Sequence, residues 1–239
     1  AAKDGKYKAV EEALKVFSPN DKMVLSKDGS TPLYIAVKNG HINIVKILLE
    51  NKADPNMSNN DGNTPLITAS NHSGEKALNI VKLLLENRAD PNKSNNSGLT
   101  PLMLSASKGN LDIVKVLLSE GALPNKKETR YGASALFYAA QEGHLDIVNE
   151  LLKYGALFIK ITTGYGPLEI AKKRGHHAIV KAIQKVAVDL YKAAKDGKYK
   201  AVEEALKVFS PNDKMVLSKD GSTPLYIAVK NGHINIVKI

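Results

Sequence analysis

DGSTPLYIAVKNGHINIVKILLENKADPN, residues 28–56, contains a whole structural unit in 29 letters. Thr31 is a residue type that caps helix N-termini, and Pro32 takes the first helical position, where its missing N–H costs nothing. A short helix follows, carrying the small residue Ala36, and Gly40 ends it. Ile44, Val45, Leu48 and Leu49 then make one apolar stripe at helical spacing. The letters ADPN at 53–56 break the second helix, and a polar turn leads to the next cap.

The pattern returns along the chain. It recurs as DGNTPLITASNHSGEKALNIVKLLLENRADPN from Asp61, SGLTPLMLSASKGNLDIVKVLLSEGALPN from Ser97 and YGASALFYAAQEGHLDIVNELLKYGALFI from Tyr131. A looser version, GYGPLEIAKKRGHHAIVKAIQK, starts at Gly164, and DGSTPLYIAVKNGHINIVKI starts at Asp220. The cap positions are Thr31, Thr64, Thr100, Ser134, Gly166 and Thr223, with spacings of 33, 36, 34, 32 and 57. Neither helix of a unit can bury its apolar face alone, so consecutive units must stack.

The G-x-T-P-L, G-H, I-V-x-x-L-L and A-D-x-N elements at this period resemble the ankyrin-repeat family over essentially the whole chain. The resemblance implies an all-α fold, an ankyrin-repeat α-solenoid of helix-turn-helix repeats with β-hairpin-like fingers. Departures are visible. The family's histidine after T-P-L is replaced by Tyr34, Ile67, Met103, Phe137 and Glu169, and Asn110 stands where other repeats have the Gly-His histidine. The second repeat has three additional residues, which are expected to lengthen its inter-helix loop near His72–Lys76.

Residues 1–47 reappear as 193–239 without one substitution. Neighbouring repeats have drifted apart, so such identity implies very recent tandem duplication or deliberate joining of copies. Both chain ends interrupt the pattern, and the chain reads as a window on a tandem or helix-fused 192-residue unit, an engineered tandem being the favoured expectation. In the 57-residue interval, Ala193 aligns with Ala36 and Gly197 with Gly40. Between Gly175 and Gly197 there is no glycine or proline, and Ile179, Ile183, Val186, Leu190 and Ala194 keep a helical spacing. The expected organisation is a degenerate capping repeat over 1–25, five repeats over 26–185 and a continuous junction helix over 176–196. A second copy of the cap over 186–217 and a truncated first repeat over 218–239 complete it.

Composition narrows function. The formal charge is +10, but residues 1–47 hold eight lysines against five acids, so one 192-residue unit carries +7. The lysines are spread rather than concentrated in a stripe, which argues against nucleic acid as a partner. No apolar run approaches a membrane span, and no membrane partner is expected. With no cysteine, disulfides, thiolate metal sites and cysteine nucleophiles are excluded, and a reducing, cytoplasmic location is the simplest expectation. His41, His144, His176 and His233 occupy Gly-His positions with a structural role, and the adjacent His176 and His177 lack the i, i+4 spacing of a metal pair. No catalytic residue, cofactor or metal site is expected.

Binding of another protein is what the resemblance implies, through fingertips and the exposed side of each first helix. The fingertip positions are Lys27, Asp28 and Ser30; Asn60, Asp61 and Asn63; Asn96, Ser97 and Leu99; Arg130, Tyr131 and Ala133; and Thr162, Thr163 and Tyr165. Arg130, Tyr131, Tyr138 and Tyr165 cluster in repeats four and five, and tyrosine and arginine dominate interface hot spots. Lys173 and Arg174 lie nearby in sequence and favour a partner with an acidic patch. End-to-end self-association is the second partner expectation.

Overall fold

A computed structural model describes residues 12, 13, 16, 18, 20, 26–200 and 224–233. The caps expected over 1–25 and 186–217 lie largely outside these residues. Eleven helices are seen among the described residues. They are α1 (Pro32–Lys38), α2 (Ile42–Glu50), α3 (Pro65–Ser70), α4 (Glu75–Glu86), α5 (Pro101–Lys108) and α6 (Leu111–Ser119). There follow α7 (Ala135–Glu142), α8 (Leu145–Lys153), α9 (Pro167–Arg174), α10 (His177–Lys195) and α11 (Pro224–Lys230). The described residues include no strand. The chain divides into two compact units, Ala1–Ala135 and Leu136–Ile239.

In the first unit, α1 pairs with α2, α3 with α4 and α5 with α6, while α1, α3 and α5 stack on one side and α2, α4 and α6 on the other. Thr31, Thr64 and Thr100 cap the first helices by accepting from the N–H groups of Tyr34, Ile67 and Met103 at 3.1, 3.2 and 3.3 Å. Each cap satisfies an N–H that the helix leaves without a partner. The apolar stripe of α2 is buried through Ile44, Val45 and Leu48, and Ile80, Val81 and Leu84 of α4 and Ile113, Val114 and Leu117 of α6 repeat it. Full burial of each such side chain contributes about 1.5–3 kcal/mol.

The three additional residues of repeat two lengthen the loop only slightly, to four residues against three in repeat one and two in repeat three. Residues 71–74 make a short connection, and α4 runs for 12 residues where α2 and α6 have nine. The insertion adds close to one turn ahead of Ile80, because Glu75, Lys76 and Ala77 are helix formers and Ala77 is buried there.

Except at the first helix of repeat two, which ends at Asn71 with right-handed backbone, both helices of a repeat end in one device. After the first helix, an N–H returns to the carbonyl five residues earlier: His41 to Ala36 at 3.0 Å, Asn110 to Ser105 at 3.0 Å and His176 to Ala171 at 2.9 Å. The residue between is a glycine with positive φ, the geometry that ends helices without a Cβ penalty. After the second helix the bonds run from Ala53 to Leu48, Ala89 to Leu84 and Ala122 to Leu117, each 2.9 Å. Here Lys52 (φ 65°) and Arg88 (φ 67°) take the left-handed position that Gly121 holds in repeat three.

In the second unit, α10 packs against α8, α9 and α11. It is one helix of 19 residues, about 28 Å at 1.5 Å per residue. Ile179, Ile183 and Ala194 are buried along it. Its end follows the repeat register: Lys198 N–H donates to Ala193 O at 2.9 Å as His41 donates to Ala36. The first half of α10 therefore acts as a second helix of one repeat and its last turns as a first helix of the next.

Candidate protein-binding surface

The fingers are hydrogen-bonded turns. Ser26, Asn59, Asn95 and Ile161 N–H groups donate to the carbonyls of Ser30, Asn63, Leu99 and Tyr165 at 3.1, 3.1, 3.1 and 2.8 Å, closing five-residue loops. In the fourth finger the bond runs from Glu128 to Ala133 at 3.0 Å, so this loop holds one residue more. Successive fingers of the first unit are joined by one backbone bond each: Asn60 N–H to Asp28 O, Asn96 N–H to Asp61 O and Thr129 N–H to Ser97 O, all 3.0 Å. Gly98 makes that close approach workable, since a Cβ there would lie 2.8 Å from Thr129 N.

A polar side chain anchors fingers one to four from inside, whereas finger five has Ile161 at that position. Asn59 Oδ1 accepts from Asp61 and Asn63 N–H at 3.1 and 2.9 Å, and Asn95 Oδ1 accepts from Ser97 and Leu99 N–H at 3.0 Å each. Both are Asx turns. Their amides also link repeats, as Asn59 Nδ2 donates to the Tyr34 hydroxyl at 3.4 Å and Asn95 Nδ2 to Asn63 Oδ1 at 2.9 Å. Tyr34, standing in place of the family histidine, thus accepts a bond from the next repeat.

Glu128 does the anchoring in finger four. Oε2 accepts from Arg130 N–H at 2.6 Å, and Oε1 accepts from Tyr131 and Ala133 N–H at 2.7 and 3.1 Å. The side chain is buried. Burial pulls its carboxyl pKa upward, but backbone N–H groups of Ala133, Arg130, Tyr131 and Gly132 together outweigh burial and hold it below the usual glutamate range.

Behind the fingers, the asparagine of each A-D-P-N turn bridges to the next repeat. Asn56 Nδ2 donates to Arg88 O at 3.0 Å while its Oδ1 accepts from Asp90 N–H at 2.7 Å. Asn92 does the same to Gly121 O and Leu123 N–H at 2.9 and 2.8 Å.

The expected contact residues fall into both units. In the first, Arg130 and Tyr131 sit at the tip of finger four, with Tyr131 42% exposed and the guanidinium 4.9 Å from its ring centroid. In the second, Tyr165 is 38% exposed with Lys173 Nζ 5.0 Å over its ring, and Arg174 is exposed at the end of α9. Both are cation–π geometries that hold a charge against an aromatic face. Tyr138 is half-buried, edge-on to Phe137 at 6.2 Å and 84°. The tips include two corrections. Ser30 and Ala133, counted as contact positions, are buried, whereas Tyr165 at the same third tip position is exposed. Glu128 was not among the expected residues, although the 34-residue spacing between Thr100 and Ser134 signals the enlarged loop.

Among the described residues no group of three or more His, Asp or Glu side chains could hold a metal ion, and no helix is long and apolar enough to cross a membrane.

Paired short helices, glycine-ended turns and hydrogen-bonded fingers at a near-33-residue period define a repeat protein. The profile described as Ankyrin repeats (3 copies) matches residues 1–95, 73–163, 125–191 and 157–239, and the chain belongs to the ankyrin-repeat family. It is 42% identical over 67 residues to the ankyrin repeat-containing protein P1E11.10 of Schizosaccharomyces pombe, covering 28% of this chain and 31% of that one. It is 45% identical over 56 residues to an ankyrin repeat protein of Fowlpox virus, FPV222, covering 23% and 7%. It is also similar, at 38% over 72 residues, to the transient receptor potential cation channel subfamily A member 1 homolog of Caenorhabditis elegans, covering 30% and 6%. The chain spans less than a third of each of these relatives. Repeats of this family generally mediate protein–protein interaction and are typically non-enzymatic.

Proposed function

We propose that the chain is a non-enzymatic scaffold that binds another protein through its fingertips and the exposed side of its first helices. The observation that carries this reading is the pair of cation-capped tyrosines, Arg130 over Tyr131 and Lys173 over Tyr165, on otherwise small and polar tips. Each offers a large, rigid aromatic area beside a positive charge, and each by itself, the second with Arg174 in its own unit, favours a partner bearing an acidic patch.

The test is selection of dodecapeptides by display on the 239-residue chain. Peptides rich in Asp and Glu are the expected winners. Replacing Arg130, Tyr131 and Tyr165 together by alanine is expected to weaken their binding by more than about tenfold, with helicity unchanged by circular dichroism. Retained affinity in that variant would move the site elsewhere.

A second reading is favoured by one observation, the 47-residue identity of 1–47 and 193–239. On this reading the chain is a helix-fused tandem, joined through α10, that serves as a structural scaffold without a ligand of its own. Failure of display to select any binder would support it.

A further inference from the structure

We propose that Glu128 is the positioning residue of an enlarged recognition finger, which presents the Arg130–Tyr131 pair to a carboxylate-bearing segment of a partner protein. This rests on the binding reading above and adds to it a loop, an anchor and a ligand group.

Fingers one, two, three and five close after five residues, whereas finger four closes after six. The additional residue falls in the stretch that carries Arg130 and Tyr131. A longer loop places its N–H groups further from the anchor, and an asparagine cannot reach all of them. Glutamate has one more methylene and two equivalent oxygens. Glu128 accordingly takes three N–H donors, from Arg130, Tyr131 and Ala133, where Asn59 and Asn95 each take two within their own fingers. Charge-assisted bonds of this kind are shorter and stronger than those to a neutral amide. Their depression of the carboxyl pKa is the same fact seen from the side of the proton.

Both contact residues are thereby fixed through their own backbones. Thr129 N–H, bonded to Ser97 O, seats the base of the loop on finger three. The acidic group within the finger is consumed by backbone donors, so it leaves the guanidinium for a partner. Among the described residues no ion pair uses Arg130. A guanidinium laid against an aromatic ring keeps its donor edge open, and that edge matches a carboxylate in two parallel hydrogen bonds. A loop already ordered in the free protein avoids most of the entropy cost of ordering on binding.

The experiment uses the full 239-residue chain, and its probe is the tightest acidic dodecapeptide from the display selection, labelled for fluorescence anisotropy. Glu128→Ala is expected to weaken binding about tenfold and to speed amide exchange at Arg130, Tyr131 and Ala133. Glu128→Gln keeps one carbonyl acceptor and is expected to recover to within about threefold of the parent. A third variant, Glu128→Asn with Arg130 deleted, rebuilds finger four on the pattern of finger three. It is expected to fold with parental helicity and to lose the peptide.

Unchanged affinity in Glu128→Ala, with or without faster exchange, overturns the positioning role. So does retained binding in the rebuilt finger. If Arg130→Ala and Tyr131→Ala themselves leave affinity unchanged, the reading beneath has failed instead, and the two failures are told apart by these single variants.

Discussion

The second unit contains the same junction twice, built on different foundations. At the first, His176 Nε2 lies 3.0 Å from Gln141 O, and its ring covers Gly143 so closely that a Cβ there would meet Cε1 at 2.7 Å. At the second, His233 Nε2 lies 2.9 Å from Lys195 O, and its ring covers Gly197 at the same 2.7 Å. In each case the carbonyl belongs to the residue two before the glycine. Yet Gly143 follows an eight-residue helix that begins behind finger four, while Gly197 follows the 19-residue α10 with no finger before it. Stacking of the next repeat thus depends on the last turns of a first helix and its terminal glycine, not on what precedes them. The first unit holds a variant of this contact, where Asn110 Nδ2 donates to His72 O at 2.8 Å, two residues before Gly74.

Breaking α10 is the strongest challenge to this equivalence. Val188 is half exposed near its middle, so Val188→Pro removes little packing and acts through the backbone. The expected loss is about 3 kcal/mol, from the missing N–H and the ring's clash with the preceding turn. Urea unfolding followed by circular dichroism should show an early transition for the part beyond residue 188. A single unshifted transition would mean that the second junction does not rely on a continuous helix.

Next in size are the glycines. Gly143→Ala and Gly197→Ala should each cost about 2 kcal/mol, from the left-handed backbone and displacement of the histidine ring from its carbonyl. Gly40 has the same φ of 69° as Gly197 but, among the described residues, no atom within 4 Å of its Cβ position, and Gly40→Ala should cost only about 1 kcal/mol. Equal losses at all three positions, measured by thermal unfolding, would show that the rings contribute nothing.

The smallest effects concern the histidines. His176→Ala and His233→Ala should each cost about 1 kcal/mol, and the two values should agree. His176→Asn should recover part of the loss, because Asn110 already makes this bond with a shorter side chain. Asparagine no better than alanine would indicate that the ring matters for its packing rather than its nitrogen.

The repeat itself was legible because its signals are local. A threonine before a proline, a glycine at a helix end and a 3.6-residue apolar stripe each act within a few bonds, so their placement along the chain fixes caps, stops and buried faces. The continuous α10 was legible for the same reason, since no helix breaker interrupts residues 176–196. The three-residue insertion was legible only as a length. Whether it became loop or helix was settled by the space for Ala77 behind Ile80. At the candidate surface, Arg130 and Tyr131 stood out by residue type, whereas Glu128 read as one acid among many.

What the sequence by itself determined is therefore the helix pairs, their period and the family, all consequences of short-range backbone preference and burial pattern. What only the tertiary structure decided is how polar side chains are spent between repeats. Asn56 and Asn92 bridge to carbonyls 32 and 29 residues away, the Tyr34 hydroxyl accepts from Asn59 of the next repeat, and Glu128 turns inward to hold a finger. These choices depend on distances across stacked neighbours. A buried polar group must find a partner wherever the fold brings one within about 3 Å, and no pattern along the chain encodes that meeting.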